Sequence, residues 1–138
     1  MKTSHQTPTQ ALERLKAMRI LLLEDNDTNR QLLSEYLDYL GYQVLGLADG
    51  SNLFQALFEF QPQLILLDLK LPGIDGYTLL EQIKHSSDWQ HLPVIVVSAF
   101  AFKADQQRAI SLGAKRYFVK PVKLPQLKQA IQEELYQG

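Results

Sequence analysis

Leu64-Ile65-Leu66-Leu67-Asp68-Leu69-Lys70-Leu71-Pro72-Gly73 decides how this chain folds. An unbroken apolar run leads straight into a carboxylate, and a Pro-Gly turn signal follows. The run is too short for a buried helix and reads as a strand covered on both faces. A carboxylate at the end of such a strand either caps a helix or does chemistry. Which of these holds depends on whether the other strands end in matching groups.

Working outward, the same pattern recurs. Ile20 to Leu23 predicts a buried strand ending in Glu24-Asp25-Asn26, then a helix over about 28–40 with Asp27 as its N-cap. Leu32, Leu33, Tyr36, Leu37 and Leu40 form its apolar face, and Gly41 stops it. Residues 42–47 predict a second strand, and 51–60 a helix with Leu53, Phe54, Leu57 and Phe58 on one face. After the central strand, Asp75 is placed to cap a helix over 76–85 that buries Leu79, Leu80 and Ile83, and Trp89 reads as packing. Val94 to Val97 is a fourth strand ending at Ser98. The helix expected over 103–112 carries Gln106, Gln107 and Arg108 in its middle and should sit loosely. Arg116 to Val119 is a fifth strand ending at Lys120-Pro121, followed by a helix over 124–136 with Leu124, Leu127, Ile131 and Leu135 inward.

Strands alternating with helices over short connections imply one α/β domain, residues 19–138. Its doubly wound parallel sheet has five strands with right-handed crossovers. Residues 1–18 read as a leader, in which Leu12, Leu15 and Met18 recur at the spacing of a short helix. That leader is a solvated tail, an interface helix or the end of a linker.

Composition narrows the class. Apolar residues make up 46% of the 138, enough for a sizeable core. A net charge of -1 gives no field that would favour nucleic acid or an anionic membrane, so neither is expected as a partner. The absence of cysteine excludes disulfides, thiolate metal sites and a cysteine nucleophile, and suits a reducing cytoplasm. No apolar run approaches the ~18 residues of a membrane span, and the N-terminus lacks the apolar stretch of a signal peptide, so a cytoplasmic location is expected.

In a parallel sheet the residues after each strand gather along one edge, where ligands bind in open α/β folds. That edge here carries Glu24 and Asp25, Asp68, Ser98 and Lys120. Each alone has an ordinary reading: a capping carboxylate, an acidic loop, a stray hydroxyl, a solvated lysine. Together they suit phosphoryl chemistry. Two like charges about 4 Å apart repel by roughly 4 kcal/mol at an effective dielectric of 20, and a hard divalent cation such as Mg²⁺ relieves that. Metal, ammonium and hydroxyl can each engage one oxygen of an incoming phosphoryl group. Asp68, at the end of the central strand, is then the nucleophile that forms an acyl phosphate.

At these residues the chain resembles the receiver domain of two-component response regulators, of the chemotaxis-type single-domain or hybrid-kinase kind. The matching stretches are ILLLEDN (20–26), LILLDLKLPGIDG (64–76), VIVVSA (94–99) and GAKRYFVKP (113–121). The resemblance implies a flavodoxin-like (βα)5 fold with strand order 2-1-3-4-5. It implies that Asp68 accepts phosphoryl from a histidine kinase or a histidine phosphotransfer protein. Asp25 and Asp68 would bind Mg²⁺ directly, Glu24 mainly through water, and the Lys70 backbone carbonyl would complete the protein ligands. Lys120 would pair with the phosphoryl group, Ser98 would move to hydrogen-bond it, and Tyr117 would swing inward behind Ser98. The Lys120-Pro121 bond would be cis.

The resemblance also implies a phosphorylation-activated switch rather than a general enzyme, catalysing only its own phosphorylation and slow dephosphorylation. Its downstream partner would dock on the fourth helix, fifth strand and fifth helix, and the chain would be a monomer or a phosphorylation-dependent homodimer. No effector domain follows Gly138, so output is expected through partner binding or onward transfer. Three positions depart from the family pattern: Glu24 stands where Asp is common, and Lys70 and Phe100 occupy positions that tune phosphoryl lifetime. A bulky Phe100 that limits water access predicts slow self-dephosphorylation.

Other readings fit less well. An Asp-nucleophile phosphohydrolase typically has a second acid two residues on, where this chain has Lys70. A nucleotide or flavin binder needs a glycine-rich loop after the first strand, and Glu24-Asp25-Asn26-Asp27 would repel a phosphate. A receiver excised from a hybrid sensor kinase, to which the stretch from Glu24 to Arg30 is similar, and a non-phosphorylated docking module both stay open.

Overall fold

The apolar runs become strands because helices cover both of their faces. A computed structural model describes residues 17–136. The order is β1 (Arg19–Leu23), α1 (Asp27–Tyr39), β2 (Gln43–Leu47), α2 (Leu53–Phe60), β3 (Leu64–Leu67), α3 (Gly76–Lys84), β4 (Val94–Ser98), α4 (Lys103–Ser111), β5 (Arg116–Val119) and α5 (Leu124–Leu135). The strands form one parallel sheet in the order β2-β1-β3-β4-β5. This is the doubly wound, flavodoxin-like arrangement.

Side chains alternate along each strand and so divide the core in two. Leu21, Leu23, Ile65, Leu67, Val94 and Val96 face α2, α3 and α4. Ile20, Leu22, Leu64, Leu66, Ile95 and Val97 face α1 and α5. The three central strands are buried almost throughout, as their unbroken apolar sequences require. Trp89 packs against the first of these layers. Asp75 caps α3, its Oδ1 accepting from the Thr78 amide at 3.0 Å.

The structure corrects three local expectations. Helix α1 is capped by Asn26, not Asp27: Asn26 is extended, and its Oδ1 accepts from the Asn29 amide at 2.9 Å. Asp27 is the first helical residue, and its carboxylate pairs with Arg30 instead. Leu32 is 56% exposed rather than part of the inner face of α1, which is set by Leu33 and Leu37. On α2 the buried stripe is Leu53, Ala56 and Leu57, while Phe54 is exposed and Phe58 is 73% exposed. Phe54 and Phe58 each follow a buried residue by one position. That rotates them about 100° away from the sheet.

The helix expected in the leader lies outside the described residues, except for its end. Met18 packs against the α1 and α5 layer. No helix among the described residues is long and apolar enough to cross a membrane.

Candidate functional site

Strand register builds the site. Leu23 is level with Leu67, so Glu24 and Asp68 leave the sheet side by side. The Asp68 amide donates to the Leu23 carbonyl at 3.0 Å, and the Glu24 amide to the Leu47 carbonyl at 3.0 Å. One strand further on, Ser98 is level with Val119, and the Lys120 amide donates to the Ser98 carbonyl at 2.8 Å. The Lys120-Pro121 peptide is cis.

The charges gathered here are largely out of water. Glu24 is 2% exposed and Asp68 is 4% exposed, whereas Asp25 is exposed. The penalty expected for these carboxylates is met in part within the chain. The Lys120 ammonium donates to Glu24 Oε1 at 2.6 Å and to Asp68 Oδ2 at 2.8 Å. The Lys70 amide donates to Asp68 Oδ1 at 3.1 Å, and the Asn26 amide to Glu24 Oε2 at 3.1 Å. Burial still holds the Glu24 carboxyl above its ordinary value, although the Lys120 and Asn26 bonds pull it down. For Lys120, burial favours the neutral amine, but Asp68 and Glu24 together outweigh it and raise its pKa. The ammonium is therefore locked in the charged form between two anions.

Glu24, Asp25 and Asp68 each offer a carboxylate oxygen, and these oxygens lie within 4.8 Å of one another. An all-oxygen set of this charge fits a hard divalent ion such as Mg²⁺ and not a thiophilic one. An anionic group placed beside Asp68 would meet the half-buried Lys120 ammonium on one side and this acidic cluster on the other.

Ser98 is fully buried, and its Oγ accepts from the Phe100 amide at 3.2 Å. Tyr117 lies inward against the core, and its hydroxyl donates to the Phe100 carbonyl at 2.7 Å. Burial holds the Tyr117 phenol above its ordinary value, so it stays a donor at neutral pH. Ser98 and Tyr117 thus meet at one residue of the β4–α4 connection.

Helix α4 buries only Ala109, in keeping with its polar sequence. Polar contacts seat it. The Tyr77 hydroxyl donates to the Asp105 carbonyl at 3.2 Å, and the Arg108 guanidinium lies 3.9 Å from the Tyr77 ring centroid.

Glu24, Asp25, Asp68 and Lys120 therefore converge, with Lys70 joining through its amide, and Ser98 and Tyr117 are joined at Phe100. Gly76 and Arg30 were not legible as site residues. A Cβ at Gly76 would lie 2.4 Å from Leu69 Cα and 2.5 Å from the Asp68 carbonyl oxygen. A glycine in the first turn of a helix, directly after its cap, was the available signal. Arg30 looks like any polar-face residue of α1, and nothing in its spacing marks it. A cleft of about 410 Å³ opens beside the charged cluster, lined by Glu24, Leu32, Val97, Lys120 and Pro121 among others.

Comparison with known proteins agrees with this geometry. Residues 20–132 match the family model described as the response regulator receiver domain. The chain is 31% identical over 116 residues to the polar-differentiation response regulator DivK of Brucella anthropi, covering 84% of this chain and 94% of that protein. A putative response regulator from Chloroflexus aurantiacus superposes with a TM-score of 0.83 at 27% identity, covering 88% of this chain and 99% of that one. The receiver domain of the sensor histidine kinase PA1611 of Pseudomonas aeruginosa superposes with a TM-score of 0.80 at 30% identity over 88% of this chain and 99% of its own. That structure has a magnesium ion coordinated in its active site cleft. With sheet order, strand-end chemistry and sequence in agreement over most of its length, this chain belongs to the response regulator receiver domain family of two-component signalling.

Proposed function

We propose that the chain is a phosphorylation-activated switch in which Asp68 takes a phosphoryl group from a phosphohistidine. The observation that carries this reading is the Asp68 carboxylate itself, which is buried at a strand end and held between the Lys120 ammonium and the Lys70 amide. An Asp68 oxygen attacks phosphorus as the phosphorus–nitrogen bond breaks, and the departing imidazole keeps the electron pair. Lys120 neutralises charge on the arriving oxygens. Glu24, Asp25 and Asp68, with the Lys70 carbonyl, would hold Mg²⁺, which when bound offsets the charge of the transferring group. The Ser98 hydroxyl then bonds the phosphoryl group. Because Ser98 and Tyr117 both bond Phe100, that change reaches the surface of α4, β5 and α5. Phosphorylation thereby shifts the population of that surface toward the form that binds a downstream partner, as a monomer or as a homodimer.

The donor is a histidine kinase or a histidine phosphotransfer protein in the cytoplasm. The cleft beside Glu24 and Lys120, flanked by exposed Leu32, supports docking of such a donor at the α1 side. Likeness to the receiver domain of a sensor histidine kinase supports a place in a multi-step relay.

Beryllium fluoride with Mg²⁺, followed by amide NMR, tests the switch. Shifts at Asp68, Ser98 and Lys120 that extend through Tyr117 into α4, and vanish in Asp68→Asn, are expected. Shifts confined to Glu24 and Asp25 would show metal binding without a switch and sink the proposal.

A further inference from the structure

We infer that Arg30, seated over Gly46, is a positioning residue for the acidic metal cluster. The inference rests on the reading of Glu24, Asp25 and Asp68 as the Mg²⁺ ligands. The Arg30 guanidinium donates through Nη1 to the Glu24 carbonyl at 2.8 Å and to the Asp25 carbonyl at 3.4 Å. Its Nη2 donates to Asp27 Oδ1 at 2.6 Å. One planar cation therefore ties the backbone of both acidic residues, just past the end of β1, to the first turn of α1.

The route of this side chain depends on a neighbouring strand. A Cβ at Gly46, in β2, would lie 3.1 Å from Arg30 Cγ and 3.2 Å from Cδ. Glycine leaves room for the aliphatic stem to pass; a Cβ here would make the stem give by a few tenths of an ångström, and the branched side chain of valine would crowd it further. Glycine is otherwise unfavourable inside a strand, and this contact gives it a reason to be there.

The geometry opposes what simple charge would do. A cation close to the cluster repels Mg²⁺, so on charge alone removing Arg30 should tighten metal binding. Asp27 balances part of that charge, and the bonds to two backbone carbonyls fix where the Glu24 and Asp25 side chains begin. A fixed starting point lowers the conformational entropy lost when both carboxylates close on one ion. Outer-shell partners of metal ligands commonly change affinity by about 10–100-fold, and the lower end suits contacts made through backbone.

The test is Mg²⁺ titration of the full chain followed by amide NMR, with thermal unfolding of each metal-free variant as the structural control. Wild type, Asp25→Asn, Arg30→Ala, Gly46→Val and the Arg30→Ala/Gly46→Val double variant are compared well below their melting temperatures. The Mg²⁺ dissociation constant is expected to rise about tenfold in Arg30→Ala and by a similar factor in Gly46→Val. The double variant should be no weaker than Arg30→Ala alone, because the tight contacts of a side chain at Gly46 are with the Arg30 stem, Ser34 Oγ lying at an ordinary 3.6 Å. Unchanged or tighter binding in Arg30→Ala, or losses that multiply in the double variant, would overturn the inference while wild-type binding stands. Absence of wild-type binding, or binding that survives Asp25→Asn unchanged, would overturn both the inference and the metal-site reading beneath it.

Discussion

Replacing Lys120 by methionine removes one ammonium and leaves two buried carboxylates facing each other. Glu24 and Asp68 present oxygens within 4.8 Å. At that distance and an effective dielectric of 20 their repulsion is about 3.5 kcal/mol. Lys120 keeps 22% of its side-chain surface in solvent, and water entering the vacated space would screen part of this. A loss of about 3 kcal/mol at pH 7.5 without Mg²⁺ is therefore expected, within the range for breaking one side of a buried pair. It should appear as a lower urea midpoint at unchanged slope. The pH dependence has a definite sign. Burial already raises the folded-state pKa of Glu24, so its contribution to stability is present at low pH and is lost as pH rises through the folded value. Without Lys120 that value climbs further. The deficit of Lys120→Met should then shrink on acidification, as Glu24 takes up a proton. Adding Mg²⁺ or the second change Glu24→Gln should shrink it as well. A deficit below about 1 kcal/mol, or one that grows on acidification, would refute this electrostatic picture of the site.

Three further outcomes follow from particular contacts. Gly76→Ala should destabilise the fold by about 2 kcal/mol or more in urea unfolding and slow phosphorylation, because its Cβ would strike backbone at Leu69 and Asp68. Phe100→Ala should shorten the lifetime of the phosphorylated state, read by the decay of intact mass after the donor is removed; an unchanged lifetime would show that Phe100 does not limit water access. Burial and Tyr136 push the Tyr42 phenol up to about 12, so ultraviolet titration should show a late tyrosinate step that disappears in Tyr42→Phe. The raised value also means that this group's stabilisation is complete below pH 10 and lost between about 10 and 12.

Much of the fold was legible because its strands are short, apolar and followed at once by turn signals. The runs at 20–23, 64–67 and 94–97 could only be buried strands, and their order in the sheet came from family resemblance. Amphipathic faces were less legible where a helix is short. Leu53, Ala56 and Leu57 cover the sheet, and Phe54 and Phe58, equally apolar, face solvent. Nothing in hydrophobicity separates them, since the difference lies in where an eight-residue helix meets the sheet. Asn26 and Asp27 compete for one cap, and the residue with extended backbone takes it. In the site, side chains at strand ends were readable because register alone brings them together. Arg30 was not, because its role depends on a glycine in another strand. Nor was the Lys120 bridge, because a sequence does not show whether a lysine turns to solvent or inward.

The most direct test of the central claim is intact mass after incubation with Mg²⁺ and a small acyl-phosphate donor, with Asp68→Asn alongside. One added phosphoryl group, dependent on Mg²⁺ and absent from Asp68→Asn, is expected. A folded wild-type chain that gains no mass, or an Asp68→Asn chain that gains the same mass, would contradict it.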